Sequence, residues 1–347
     1  MGPSRWTIRI CAAALLALSG PQLVAAPAFA NTQTGSVQAS ADYTTALSAF
    51  ENGNMQRALR LAQSAAFAGS TDAAVLAGYI LRHGKAGEPD LESARRFYEK
   101  GAIQGHPDAL VALGEMGLNG EAGLTDEDAY VYLTRASDAG RVDATRVLAE
   151  MARTGRGTTQ SVETQRDLLG KASASFDAEA TKRLGDTYFE VDARKALGFY
   201  EQAAEAGHVE AAYIAGVMYA TNLDIRPNEE ASARWLGLAA KGGHAAAQAD
   251  YGLLVYQGVA GLTRDDAAAA DWFRQSAEGG DSEGAFLYAF TLAKGEGVAQ
   301  DFGEAYYWLL KSGDSTVDSY QQDRTVLRER LEANVDPEIL AAARARL

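Results

Sequence analysis

Between His244 and Asp281, small and apolar residues recur at helical spacing twice over. Ala247, Tyr251, Gly252, Leu254 and Val255 place one apolar stripe on a helix from about Ala245 to Gln257. Gly258 and Gly261 break it, because glycine accepts the left-handed backbone that a helix end often needs. Thr263, Asp265 and Asp266 then open a second helix. Their side-chain oxygens can accept from its free amides, and carboxylates suit the positive end of its dipole. The stripe of this helix is Ala269, Trp272, Phe273 and Ala277, and Gly279–Gly280 ends it. Neither short helix can bury its stripe alone, so the pattern demands a neighbouring copy.

The copies are present. A small residue recurs in each first helix as Gly78, Gly114, Ala149, Gly185, Gly216, Gly252 and Ala289. A loop glycine recurs as Gly84, Gly120, Gly155, Gly258 and Gly295, with Asn222 once in its place. A bulky column in the second helices runs Leu61, Phe97, Tyr132, Asp167, Phe199, Trp235, Trp272 and Trp308, in steps of 36, 35, 35, 32, 36, 37 and 36. A period in this range signals stacked helical hairpins. The first hairpin is expected over Tyr43–Asn52 and Met55–Ala68, and seven more start near Ala73, Ala109, Ala144, Ala180, Ala211, Ala247 and Gly284. Two further helical patterns follow, one with Val326, Leu327 and Leu331 and one opening at Asp336-Pro337, where proline suits a first turn.

The repeated pattern resembles the Sel1-like repeat family, a relative of the tetratricopeptide repeat. The resemblance is carried by Ala247-Gln-Ala-Asp-Tyr-Gly, Ala305-Tyr-Tyr-Trp308, Ala94-Arg-Arg-Phe-Tyr-Glu-Lys-Gly and Ala196-Leu-Gly-Phe-Tyr-Glu-Gln-Ala-Ala-Glu-Ala-Gly207, and it covers roughly residues 42–313. It implies an all-α, right-handed superhelical solenoid of about eight hairpins with a C-terminal helical cap over 314–347. It further implies a partner-binding scaffold whose first helices line the concave side, serving regulatory or assembly roles. Inhibition of a sensor kinase's periplasmic domain and organisation of an envelope or polysaccharide-export complex are examples.

The first thirty residues have another character. Arg5 and Arg9 precede an apolar run from Ile10 to Leu18, and Ala28-Phe29-Ala30 is a small-residue cleavage site. This is the pattern of a secretory signal peptide, too short in its apolar part to span a membrane. Cleavage is expected after Ala30, giving a periplasmic or secreted protein that is not an integral membrane protein. Cys11 stands near the start of the apolar run rather than after it, which does not suit a lipid anchor. Residues 31–41 are small and polar, a flexible leader. Cleavage removes the one cysteine, so the mature chain is expected to have no disulfide or thiol chemistry. It also takes the formal net charge from −14 to −16, which argues against nucleic acid and anionic lipid as partners. Much of that acidity lies where second helices begin (Asp90, Glu92, Asp126 to Asp128, Asp192, Glu229, Glu230, Asp265, Asp266, Asp301), a placement helix starts favour on their own.

No residue pattern nominates an active site, a metal or a cofactor. His106, His208 and His244 occupy one place in three repeats, just after a helix-ending glycine. Equivalent positions lie on the order of 10 Å apart, too far to share an ion whose ligands sit near 2 Å, so these are turn residues. Gly155-Arg-Gly157 and Gly295-Glu-Gly297 lack the third glycine, lysine and preceding strand of a phosphate cradle. Trp235, Trp272 and Trp308 fall on the stripe facing the neighbouring hairpin and are expected to pack rather than to form a sugar platform.

What varies is the first-helix face that stacking leaves over. In the middle of the chain it carries Glu115, Arg146, Glu150, Arg153, Lys182 and Asp186, the candidate protein-partner site; toward the end it carries Tyr213, Val217, Leu253, Tyr256, Phe286 and Phe290. The charges could also satisfy one another as Arg146–Glu150 and Lys182–Asp186 at i,i+4. The repeat at Ala144 is expected to be the weak joint of the stack, with Asp167 in the bulky column and the string Ser173-Ala-Ser-Phe-Asp177 at its end. The sequence thus points to a non-enzymatic envelope scaffold. The alternative is a cell-wall or polysaccharide-handling protein, which would require polar groups converging in one pocket.

Overall fold

The computed structural model describes residues 37–222, 224–313 and 320–347. The expected signal peptide and the residues before Val37 lie outside them, as does the start of the expected cap. The described residues are helical throughout, without strands. Helices pair as α1 (Val37–Glu51) with α2 (Met55–Phe67), α3 (Thr71–Arg82) with α4 (Leu91–Ile103), α5 (Pro107–Leu118) with α6 (Asp126–Asp138), and α7 (Val142–Thr154) with α8 (Val162–Ser173). Next come α9 (Ala178–Asp186) and α10 (Ala193–Glu205), then the pairs α11 (Val209–Thr221) and α12 (Glu229–Lys241), α13 (Ala245–Gln257) and α14 (Asp266–Glu278), and α15 (Ser282–Lys294) and α16 (Phe302–Lys311). Two helices finish the chain, α17 (Gln321–Asn334) and α18 (Pro337–Arg344), and both pack on α16. A short 3-10 turn, Glu121–Gly123, interrupts the loop after α5.

The chain divides into two compact units at Ala180/Thr181, within α9. In the first unit each helix from α1 to α8 packs on the next in chain order; the second repeats this from α10 to α16. In each, stacked helical hairpins form the arrangement of a repeat solenoid. α1 starts at Val37, inside the stretch expected to be a flexible leader. Its alanines favour helix, and Tyr43, Ala46 and Ala49 bury one face of it. At the far end Arg324, 1% exposed, ties α17 down by donating to Ser312 Oγ at 3.0 Å and to the carbonyl of Ser282 at 3.0 Å.

The core rests on one repeated contact. The eighth residue of each first helix from α3 onward is Gly78, Gly114, Ala149, Gly185, Gly216, Gly252 or Ala289, and the eighth residue of the matching second helix is Tyr98, Leu133, Leu169, Tyr200, Leu236, Phe273 or Leu309. All seven of the latter are buried. The glycines are small because the partner leaves no room. A methyl group on Gly78 would sit 2.7 Å from Tyr98, on Gly114 2.5 Å from Leu133, on Gly216 2.8 Å from Leu236 and on Gly252 2.9 Å from Phe273.

This register corrects two expectations. The bulky column named from sequence is the seventh position, one residue off the deep contact. It mixes buried Phe97, Trp235 and Trp308 with half-buried Tyr132, Phe199 and Trp272. Trp272 makes an edge contact with Tyr251 at 5.7 Å, while Phe273 beside it is 1% exposed. In α8 the seventh and eighth positions are Leu168 and Leu169, and Asp167 faces solvent. Leu169 is thus buried at the place that Leu133 and Leu236 hold in their hairpins, and Asp167 gives no reason for a weak joint.

The irregularity of this repeat lies in the other feature expected of it, the string Ser173–Asp177, which forms the turn after α8. At each other described turn from a second helix to the next first helix the residue before the cap is glycine with a left-handed backbone: Gly69, Gly105, Gly140, Gly207, Gly243 and Gly280, at φ between 78° and 105°. Here it is Phe176, at φ 62°. For a bulky L-residue that region costs of order 1–2 kcal/mol. The other non-glycine residues with positive φ, Ala122 and Ala260, are small.

Two stability measurements check the register. Gly114→Ala should destabilise by about 1–3 kcal/mol through overpacking against Leu133. Phe273→Ala should cost roughly 3–5 kcal/mol and Trp272→Ala less, because part of the indole stays in water. Equal losses at 272 and 273 in urea unfolding would show that the deep position has been misplaced.

Candidate functional site

The first helices expose little. In α7 the buried face is Ala144, Thr145, Val147 to Ala149, Met151 and Ala152, and between its ends positions five, nine and twelve, Arg146, Glu150 and Arg153, keep surface in water. Position nine of α5 is Glu115; positions five and nine of α9 are Lys182 and Asp186. All six are engaged. Glu150 takes Arg153, whose Nε donates to Oε2 at 2.9 Å. Arg146 passes over Glu150 and pairs with Asp177 at 3.1 Å, so the expected Arg146–Glu150 pair is not formed. The Asp177 carboxylate is the better shielded, 16% exposed against 30% for Glu150, and charges attract more strongly away from water. Its Oδ1 also accepts from the Ala180 amide at 2.8 Å.

Glu115 belongs to a different cluster. It accepts from Arg82 at 2.7 Å, while Arg82 Nε donates to Glu121 at 2.8 Å. Burial opposes the charge on Arg82, but its bonds to Glu121 and Glu115 outweigh this and hold its pKa above the ordinary arginine value. In the second unit Lys182 pairs with Asp186 at 3.2 Å and with Glu210 at 3.5 Å, and Asp186 accepts from the Tyr200 hydroxyl at 2.9 Å. The six charges are thus distributed over local clusters. Arg82 and Asp177, which complete those clusters, lie about a full repeat away, and Glu121 lies in the loop after α5; none has an i,i+4 signature.

The apolar columns are also partly spent. Tyr213 stacks on His244 with centroids 4.2 Å apart, and Tyr256 donates to Glu296 at 2.5 Å. Phe286 is buried beside Tyr320, and Lys294 lies 4.5 Å over the Phe290 ring. Val217, Leu253, Tyr256 and Phe290 keep part of their surface in water.

The histidines are helix caps. A ring nitrogen of His106, His208 and His244 accepts from the amide of Asp108, Ala211 and Ala247, respectively, each at 3.2 Å. His106 also meets Asp72 of the preceding repeat at 3.0 Å through Nε2. At the equivalent place one repeat later, Arg141 meets Asp108. The second glycines of the two Gly-x-Gly motifs answer to packing as well: a methyl group on Gly157 would strike the carbonyl of Asp126 at 2.2 Å, and one on Gly297 that of Asp266 at 1.9 Å. Among the described residues no group of three or more His, Cys, Asp or Glu is placed to hold a metal ion, and no helix is long and apolar enough to cross a membrane.

Capping through Nδ1 requires an unprotonated acceptor. Burial holds the His244 pKa below the ordinary 6.5, against the opposing pull of Glu210 and Asp281. The folded state then binds fewer protons than the unfolded one. Its stabilisation is complete above pH 6.5 and drains away as pH falls below that value. His244→Asn keeps a capping side chain that does not titrate. It should lose less stability than the parent between about pH 7 and pH 5. Parallel acid losses in thermal melts of the two proteins would contradict this.

Comparison with known proteins fits the geometry. The Sel1 repeat model matches residues 71–106, 107–140, 182–208, 209–244, 245–281 and 282–316, more than half of the chain. It passes over 141–181, the fourth hairpin with Phe176. A Sel1 repeat protein from Oxalobacter formigenes of known structure is 23% identical, with 83% of this chain and 88% of that one covered at a TM-score of 0.64. A protective antigen of uropathogenic Escherichia coli, c5321, is 20% identical over 88% of this chain and 82% of its own, at a TM-score of 0.40. No curated protein matches. On the repeated family match, and on the hairpins that carry it, the chain belongs to the Sel1 repeat family.

Proposed function

We propose that this is an exported, non-enzymatic scaffold of the bacterial envelope, binding protein partners along positions five, nine and twelve of its first helices. Sel1-repeat proteins are generally protein-interaction scaffolds. The observation that supports the reading here is a division of labour within each repeat. Position eight and the caps are consumed by stacking, while positions nine and twelve keep surface in water and change from repeat to repeat; position five does so in α7, α9 and α11 but is buried as Val75, Val111, Ala249 and Phe286 in α3, α5, α13 and α15. The positions left in water carry Arg146, Glu150 and Arg153 in α7, but Tyr213 and Val217 in α11 and Leu253 and Tyr256 in α13. Within each unit, such positions recurring one repeat apart suit an extended protein surface better than a small substrate. Export rests on the charged, apolar and small-residue segments of residues 1–30. Within that compartment the scaffold serves envelope signalling or exopolysaccharide assembly, with 42–313 as repeats and 314–347 as cap.

Two measurements test this. N-terminal sequencing of the protein from a periplasmic extract should begin at Asn31, and intact Met1 in the cytoplasmic fraction would overturn export. Affinity capture from the native envelope should recover a protein in stoichiometric amount, reduced by the double variant Glu150→Lys, Arg153→Glu. Recovery of glycan without protein would favour the polysaccharide-handling alternative.

A further inference from the structure

Phe176 is out of place in two ways at once. It stands where each other described turn of its kind has glycine, with a backbone that L side chains avoid, and its ring is 93% exposed. Nothing it touches within the chain accounts for that arrangement. The turn is nevertheless well made: the Phe176 amide donates to the Ser173 carbonyl at 2.9 Å, just as Gly105 donates to Ala102 at 3.0 Å in the first unit. Asp177 next to it caps α9 and pairs with Arg146. The ring is therefore presented outward on a fixed base rather than on a loose loop. Strain kept without internal compensation points to use.

Two more large apolar side chains stand exposed at turns of this kind in the same unit. Phe67 and Ile103, the last residues of α2 and α4, are 73% and 82% exposed. Lys100 lies 5.2 Å over the Phe67 ring. At the corresponding place α6 ends in Asp138, which Lys171 meets at 3.2 Å, so charge separates the apolar positions and they do not merge into one continuous patch.

We propose that Phe176 is the anchor by which this scaffold holds a protein partner, one that offers an apolar pocket for the ring and a cationic rim around it. The pocket follows from the ring: a rigid aromatic side chain loses little entropy on insertion and supplies much of the apolar area of an interface. The cationic rim follows from charge, since the chain carries a formal −14 and a partner of the same sign would be repelled. A lipid surface fits less well. The same charge opposes anionic bilayers, and the turn one repeat earlier carries Asp138, 70% exposed, two residues before Gly140, a charge that a lipid surface would have to desolvate. The inference rests on the scaffold reading and adds to it a specific contact outside the first-helix columns.

The deciding variant is Phe176→Gly, because glycine relieves the backbone and so separates binding from folding. A displayed random-peptide library is selected on the full mature chain, and enriched peptides are titrated by fluorescence anisotropy. The enriched sequences should join apolar residues to Lys or Arg, and should bind Phe176→Gly at least about tenfold more weakly. They should bind Arg153→Glu as well as the parent. Phe176→Gly itself should melt about 2–4 °C higher. A lower melting point would mean that the ring packs and the strain is absent, which overturns the argument at its base. Failure to enrich any peptide, or equal binding to the glycine variant, would overturn it too, as would Phe176-dependent binding of phosphatidylcholine vesicles in place of peptides. Peptides lost on Arg153→Glu but kept by Phe176→Gly would sink this proposal and leave the scaffold reading standing. Glycan in place of protein in the envelope capture would sink the scaffold reading itself.

Discussion

The molecule depends on how closely two helices of one hairpin can approach. At the eighth position a glycine lets the partner helix seat Tyr98, Leu133, Tyr200, Leu236 or Phe273 against bare backbone, and where alanine stands there the matching Leu169 and Leu309 are buried too. Close packing of this kind tolerates little change in volume. Once the two axes are that near, the rest of each hairpin is constrained. Alanines such as Ala109, Ala129, Ala211 and Ala269 fill the surrounding positions at 0% exposure. Long aliphatic side chains would not fit there, and the small-residue richness of the chain follows from this geometry.

Much of this is legible in the sequence, but to within one residue. The glycine column shows itself because a side chain missing at a constant interval marks a place where two backbones must come close. The facing column is harder to place, because the largest side chain on a stripe need not be the deepest. Trp235, Trp272 and Trp308 sit at position seven, beside a phenylalanine or leucine that goes deeper. In α8 the one-residue shift exchanges Leu168 for Asp167 and gives a sound hairpin the look of a defective one. Periodicity gives the face of a helix but only weakly the depth of two adjacent residues. The ion pairs are less legible still. Arg146 reaches Asp177 and Arg82 reaches Glu115 across whole repeats, whereas local spacing suggests only i,i+4 partners. The histidines are visible in the sequence as turn residues, but their role as acceptors emerges only with the ring placed against an amide.

The charges have a consequence for how function is to be sought. Glu115, Arg146, Glu150, Arg153, Lys182 and Asp186 all have partners within the chain, and a partner protein would have to exchange those contacts rather than find idle ones. Half-exposed pairs such as Glu150–Arg153 are cheap to exchange, being worth little in water. Phe176 differs in kind: its exposed ring has no internal contact to give up, and what holds it in place is the backbone. The signal is in the sequence, since the residue before each other described first-helix cap from α3 onward is glycine, but it is a signal of absence in a turn rather than of presence on a helix.

The position-eight contact has both members inside a single hairpin, while the links between neighbours, such as Asp72 to His106 and Asp108 to Arg141, recur one repeat apart. A crossover between equivalent residues of two repeats would therefore add or delete a complete unit and leave the position-eight pairs in register, with new neighbours meeting only at the junction. A change of half a unit would leave a glycine facing nothing. Length in such a chain is a quantised variable: it can grow or shrink by unequal recombination in steps of one repeat, each keeping the pairing on which a hairpin depends.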